Sequence, residues 1–294
     1  MVTESDRIVE MLRADPVDFT GDLAALRARF SALAGVQPLR PPDRLSERML
    51  GGVPVQEISS ADDERGVVIF VHAGGFVAGS AEASRPLAAR IAAACRRRLV
   101  SVDYSLAPEH PFPVARDEVA AVFDALVAEG EDPRRIALVG ASAGGGLALQ
   151  FLADRAFSPS AELPAALAVI SPFVDLALTG ASMTSKAADD PSLTPEGLAR
   201  CAADYLGGRP PGDADVLGAP LGHFPPTLVQ VGGREILLDD SVRLAGALAA
   251  AGVDVRLECW AGMVHVFPTF AALLTEGREA IDDLAEFVRN RIPA

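Results

Sequence analysis

The sequence predicts an α/β protein: a mostly parallel central sheet flanked by helices, with a helical cap. Three observations predict it. From residue 66 onward, short β-branched runs alternate with alanine-rich stretches of helical length, the pattern of parallel strands joined by crossover helices. Half of the 294 residues are hydrophobic, enough to cover both faces of a sheet. Two stretches, residues 1 to about 45 and 174 to 222, break the alternation and read as helices outside the sheet.

Taken in order, residues 1–45 hold two amphipathic helices; in the second, Leu23, Leu26, Phe30 and Leu33 follow 3, 4, 3 spacing and form one apolar stripe. "VPVQEIS" (53–59) reads as an antiparallel edge strand. The parallel strands are "GVVIFVHA" (66–73), "RLVSVDY" (98–104), "RIALVGA" (135–141), "ALAVISP" (166–172), "TLVQVGG" (227–233) and "VDVRLECW" (253–260). Helices are expected near 84–95, 114–129, 143–154, 240–251 and 274–291. Residues 174–222 are too long for an ordinary connection. Within them Thr194 and Pro195 have the chemistry of an N-cap and a first helical residue, and Leu198, Cys201, Ala202, Tyr205 and Leu206 give the following helix an apolar face. The chain thus divides into N-terminal cap helices (1–45), a first part of the core (46–173), a cap insertion (174–222) and a second part of the core (223–294). The two cap segments are expected to cover the carboxyl ends of the strands, with Leu198 and Tyr205 as candidates for lining a substrate pocket.

Composition excludes several function classes. Forty acidic residues against 26 basic ones give a formal charge of −14, a surface that repels phosphate backbones, so nucleic acid is not expected as a partner. Cys95, Cys201 and Cys259 are odd in number and widely spaced, which suits a reducing compartment better than a disulfide framework. The N-terminus has early acids and no unbroken apolar core, and no stretch has the length of a membrane span, so a cytoplasmic protein is expected. Histidines and cysteines lack paired ligand spacing, and no metal is expected.

The chemistry centres on "RIALVGASAGGGLALQFLADR" (135–155), where a strand breaks into glycines around one serine and becomes a helix. A phosphate-binding loop needs a lysine after its last glycine, and Leu147 stands there. Gly140, Gly144 and Gly146 match a dinucleotide-type spacing, but the only lysine, Lys186, has Ser182 four residues before it where a Tyr-x-x-x-Lys pair is required. The third reading is G-x-S-x-G, Gly140 to Gly144. A strand turning directly into a helix lifts Ser142 above the sheet edge and places it at a helix N-terminus, which favours developing negative charge.

"HAGGF" (72–76) follows the first parallel strand, and the backbone N–H groups of Gly74, Gly75 and Ala143 are candidates for an oxyanion hole. A serine hydroxyl needs a base. His223 precedes a strand, at the amino end of the sheet; His110 is held in a proline-rich loop; His72 belongs to the oxyanion loop. His265, just after the final strand, is the candidate base. The imidazole needs an acid, and "VGGREILLDDS" offers Glu235, Asp239 and Asp240; Glu235 follows its strand directly and is favoured, with Asp239 as the alternative. The order Ser142, Glu235, His265 is that of the α/β-hydrolases.

These residues resemble the bacterial hormone-sensitive-lipase-like carboxylesterases from about Val53 onward and, less specifically, in the N-terminal helices. "HAGGF" is similar to the family's His-Gly-Gly-Gly loop, "GASAGG" to its Gly-Asp-Ser-Ala-Gly-Gly elbow, and "DYSLAPEHPFP" to its Asp-Tyr-Arg-Leu-Ala-Pro-Glu segment. The resemblance implies an α/β-hydrolase core, a helical cap built from the N-terminus and an insertion after the sixth strand, and hydrolysis of short- to medium-chain esters without a cofactor. The chain departs from the family pattern at Ala73, Ala141, Ser105 and Glu235, and none of these departures removes a catalytic group. Lactonase, thioesterase or amide-cleaving activity with the same triad stays open, as does a non-catalytic binder on the same scaffold. The acyl length, the physiological ester and the oligomeric state, a homodimer included, are not legible.

Overall fold

The computed structural model describes residues 3–32, 44–157 and 162–292. Its elements, in chain order, are α1 (Glu4–Ala14), α2 (Leu23–Ala32), β1 (Arg44–Leu50), β2 (Val53–Ser59), β3 (Glu64–Val71), α3 (Arg85–Cys95), β4 (Arg97–Val102), α4 (Val114–Ala128), β5 (Ile136–Ala141), α5 (Ala143–Arg155), β6 (Ala166–Ile170), α6 (Ser182–Ser185), α7 (Pro195–Leu206), β7 (Thr227–Gly232), α8 (Leu238–Ala250), β8 (Val255–Trp260) and α9 (Thr275–Arg289). Eight strands form one sheet in the order β1-β2-β4-β3-β5-β6-β7-β8. β2 runs antiparallel to both of its neighbours, and the strands from β4 to β8 are parallel.

The alternation of side chains explains why the central strands read as unbroken apolar runs. Val67, Ile69 and Val71 of β3, with Ile136 and Leu138 of β5, face the core that α4, α5 and α8 cover. Val68 and Phe70, with Ala137, Val139 and Ala141, face the other core, under α3 and α9. Both faces are dry, so neither can be polar.

Two expectations need correction. Val53–Ser59 is not the edge strand: β1 pairs with it from outside, with Arg44 opposite Ser59 and Leu50 opposite Val53. β1, "RLSERML", is exposed along most of its length and carries no apolar alternation, so its sequence gave no strand signal. The sheet therefore starts at Arg44, inside the stretch assigned to the N-terminal helices. Leu33, the last residue of the predicted apolar stripe, lies outside the described residues; of the others Leu26 is buried and Leu23 and Phe30 pack against the core.

The segments that break the alternation lie against the loops at the carboxyl ends of the strands. Ile8 and Val9 of α1 pack on Met263, Val264 and Phe267, and Ser5 Oγ donates to Gly262 O at 2.8 Å. On α2, Arg27 donates to Val77 O at 2.9 Å and Ala107 O at 3.0 Å, and its guanidinium pairs with Glu109. α7 begins as its sequence predicts: Thr194 Oγ1 accepts from Gly197 N at 3.0 Å, Pro195 follows, and Leu198, Cys201, Ala202, Tyr205 and Leu206 are all buried. Among the described residues no helix is long and apolar enough to cross a membrane.

Candidate active site

Ser142 sits between β5 and α5 with φ 52° and ψ −120°, a strained conformation for a residue with a side chain. The turn is this tight because backbone closes on it from both sides. A Cβ on Gly140 would lie 2.5 Å from Gly144 O, and one on Gly144 would lie 2.2 Å from Val71 O and 2.5 Å from His72 O. Both glycines of G-x-S-x-G are therefore required by close approach. The same packing sets the first turn of α5 against the end of β3 and the loop that carries Gly74 and Gly75.

His265 and Glu235 arrive from the next strands of the sheet. His265 Nε2 is 2.9 Å from Ser142 Oγ, and its Nδ1 is 2.6 Å from Glu235 Oε2. Glu235 is completely buried, which is tolerable for a carboxylate only with its lone pairs satisfied. Its other oxygen, Oε1, accepts from Gly232 N at 2.6 Å and from Ser171 Oγ at 2.7 Å. Ser171 Oγ in turn accepts from Val266 N at 3.1 Å, so one hydroxyl fixes both the acid and the residue after the imidazole. Glu235 Oε2 thus faces one ring nitrogen of His265, and the other faces Ser142 Oγ.

The remaining carboxylates of this loop have other work. Asp239, the alternative acid, accepts from Ser182 N at 2.9 Å and makes no bond to His265. Asp240 accepts from Val174 N at 2.8 Å and Asp175 N at 2.9 Å, at the root of the insertion. Burial pushes the Asp240 carboxyl up to about 7, against the pull of those two amides.

The other histidines are placed as the sequence suggested. His223 Nε2 meets Leu152 O at 2.7 Å, away from the strand ends, and His110 is exposed. His72 is fully buried, with Nδ1 2.9 Å from Ala73 O and its ring stacked on Tyr104 at 4.1 Å. Desolvation lowers its pKa and keeps the ring neutral, so it braces the loop. Tyr104 OH donates to His72 O at 3.1 Å, which gives the "DYSLAPEHPFP" segment its structural part.

Gly74 and Gly75 follow β3 at φ 141° and 63°, and Ala143 is the first residue of α5, where a helix leaves its amide without an intrahelical acceptor. Among the described residues no backbone carbonyl accepts from these three amides outside regular elements. The Tyr205 ring stacks on Phe76 at 4.0 Å and its OH donates to Gln150 Oε1 at 2.6 Å, and Leu198 and Tyr205 are both buried. Cys201 and Phe19 also approach the loop: a Cβ on Gly75 would lie 2.7 Å from Cys201 Sγ and 3.3 Å from the Phe19 ring. Sequence reading missed Ser171 and Phe19. Ser171 had a signal, as the one polar residue ending an apolar strand and preceding a proline; Phe19 had none.

A family model for the α/β-hydrolase fold matches residues 68–269. The chain belongs to the hormone-sensitive-lipase-like carboxylesterases of the α/β-hydrolase superfamily. The carboxylesterase is 36% identical over 266 residues to an esterase of Acinetobacter venetianus, covering 90% of this chain and 88% of that one. It is 36% identical over 245 residues to an acetyl-hydrolase of Streptomyces hygroscopicus, covering 82% and 81%. Among solved structures, a bacterial esterase of the hormone-sensitive lipase family superposes with a TM-score of 0.93 at 39% identity, covering 99% of this carboxylesterase and 98% of that chain.

Proposed function

We propose that this carboxylesterase cleaves short- to medium-chain carboxylic esters through a covalent acyl-enzyme, with Ser142 as nucleophile, His265 as base and Glu235 as the orienting acid. The unbroken set of hydrogen bonds from Ser142 Oγ through the imidazole to Glu235 carries the reading. Ser142 Oγ attacks the ester carbonyl as its proton passes to His265 Nε2, and the oxyanion is held by the amides of Gly74, Gly75 and Ala143. Each such donor is worth roughly 3 to 4 kcal/mol in the transition state. The imidazolium then protonates the leaving alcohol. In the second half a water gives its proton to Nε2, attacks the acyl carbonyl and releases the acid, returning the proton to Ser142.

The cap division belongs to the same reading: the described N-terminal residues 3–32 and residues 174–222 bound the acyl and alcohol space, with Phe19 and Cys201 against Gly75 of the oxyanion loop. Three free cysteines fit a cytoplasmic setting. The name of the acetyl-hydrolase relative favours a small acyl group. Ser142→Ala should lower turnover of p-nitrophenyl acetate by about 10⁴ to 10⁶ and abolish labelling by a fluorophosphonate probe. Normal turnover in that variant would falsify the assignment. A chain-length series of chromogenic esters, extended to lactones and thioesters, then ranks the substrate classes.

A further inference from the structure

Three successive residues of the oxyanion loop lie in the left-handed region: Gly74 at φ 141°, Gly75 at 63° and Phe76 at 67°. Glycine adopts such angles freely, but a phenylalanine does so only where its surroundings hold it there. The Phe76 ring is fully buried and held by two others. Tyr205 stacks on it at 4.0 Å with the planes 12° apart, and Phe173 tilts against it at 5.6 Å. The Phe76 carbonyl accepts from Ala107 N at 3.0 Å.

Tyr205 is one turn beyond Cys201 on α7, so the two side chains share a buried face. Cys201 Sγ would lie 2.7 Å from a Cβ on Gly75, and Tyr205 covers the next residue of the loop. One turn before Cys201, Gly197 leaves room for Phe19: a Cβ there would lie 3.0 Å from Phe19 Cβ. The 197, 201, 205 stripe of α7 thus runs along the two residues that follow Gly74. The helix is itself anchored. Tyr205 OH donates to Gln150 Oε1 of α5 at 2.6 Å, Tyr205 O accepts from Phe112 N at 2.6 Å, and earlier in the insertion Asp190 Oδ2 accepts from Ile236 N at 2.9 Å. Burial alone explains an apolar face on α7; it does not explain why that face meets the loop at its strained residue.

We propose that Tyr205 and Cys201 are positioning residues for the oxyanion hole: one face of α7 clamps Gly75 and Phe76 in the left-handed run that aims the amides of the loop. The proposal rests on the reading of Ser142, Glu235 and His265 as the triad and of Gly74, Gly75 and Ala143 as the oxyanion donors. A turn of φ at Phe76 towards its ordinary range re-aims the peptide planes before it, those of Gly74 and Gly75 included. The insertion then acts on the charge that develops in the transition state as well as on the shape of the substrate space. The grip lies in the middle and last turns of α7, away from the N-cap at Thr194.

Tyr205→Leu fills the site without a ring to stack. With p-nitrophenyl acetate, kcat per fluorophosphonate-labelled site should fall about ten-fold or more, within the roughly 10² to 10³ that a whole donor is worth, and KM should change less than about two-fold. The carbonyl of a trifluoromethyl ketone takes Ser142 Oγ, the proton passing to His265 Nε2, and leaves its oxyanion in the same hole; its affinity should fall by a matching factor. Tyr205→Phe keeps the stack and loses the bond to Gln150, so it should restore most of the turnover and the ketone affinity, at a lowered melting temperature. A wild-type kcat in Tyr205→Leu at any melting temperature overturns the proposal. So does a fall in kcat with ketone affinity unchanged, or a Tyr205→Phe variant that loses as much as Tyr205→Leu. If Tyr205→Leu does not fold, Cys201→Ala decides: a fall of about three-fold or more in both kcat and ketone affinity supports the clamp, and a wild-type value of either overturns it. An active Ser142→Ala, or a wild-type enzyme that the ketone does not inhibit, removes the triad reading and the clamp together. An inactive Ser142→Ala beside unchanged Tyr205→Leu kinetics removes the clamp alone.

Discussion

The strand-end rim and the segments laid over it are built by different means. On the rim, backbone decides: Ser142 is held at positive φ, and glycines at 140 and 144 admit carbonyls at distances no side chain allows. Over it, carboxylates and apolar faces decide: Asp190, Asp239 and Asp240 bind backbone amides or face them, α7 buries one stripe, and Arg27 ties α2 to Val77 and Ala107. The difference teaches where change is tolerated. A rim made of close backbone contacts has no softer version, while a cover held by side chains can be altered residue by residue and can therefore vary in what it admits.

The comparison is broken most severely at the rim. Glu235→Gln keeps the shape but offers Nδ1 an ambiguous partner, and turnover should fall about 10⁴-fold with the fold intact, as steady-state kinetics and circular dichroism will read. Glycine at 144 is the next test. Gly144→Ala drives a methyl into Val71 O, and should cost about 3 kcal/mol in chemical denaturation or prevent soluble expression altogether.

The cover should respond more gently. Asp240 binds the root of the insertion with one oxygen, and its other has no hydrogen-bond partner among the described residues. Because burial raises its carboxyl to about 7, the folded protein keeps a proton that the unfolded chain releases near pH 4. Its contribution to stability is therefore full below about pH 4 and is lost as the pH climbs towards 7. Asp240→Asn retains the acceptor and removes the titration, so the fall in melting temperature across that window should flatten. The smallest effect belongs to Thr194→Ala, which removes the N-cap of α7. It should cost about 1 kcal/mol, a drop in melting temperature of roughly 2 to 4 °C, with turnover per folded molecule unchanged. A large loss of turnover in that variant would show that the cover and the rim are not separable.

Much of the rim was legible before any coordinates. Ser142, His265 and Glu235 each stand just past an apolar strand in the chain, and strand ends in a parallel sheet share one edge, so three separate motifs already implied one place. Helix α7 was legible because Thr194, Pro195 and an apolar stripe are local signals. β1 was not, because an exposed edge strand has no buried face to print a pattern. Leu198 and Tyr205 were legible only as buried residues, because an apolar stripe states that a face is buried and leaves open against what.

What the sequence determined by itself was therefore everything that local spacing encodes: the alternation of strands and helices, the glycine turn around Ser142, the caps, and the order of nucleophile, acid and base. The tertiary structure decided which carboxylate meets His265 and which side chains close over Gly75. It also decided that a hydroxyl at 171 and a carboxylate at 190 support the acid loop from elsewhere in the chain. The physical reason is that such contacts join residues tens of positions apart, where the partner of a buried polar group is fixed by packing in three dimensions and leaves no period in the chain.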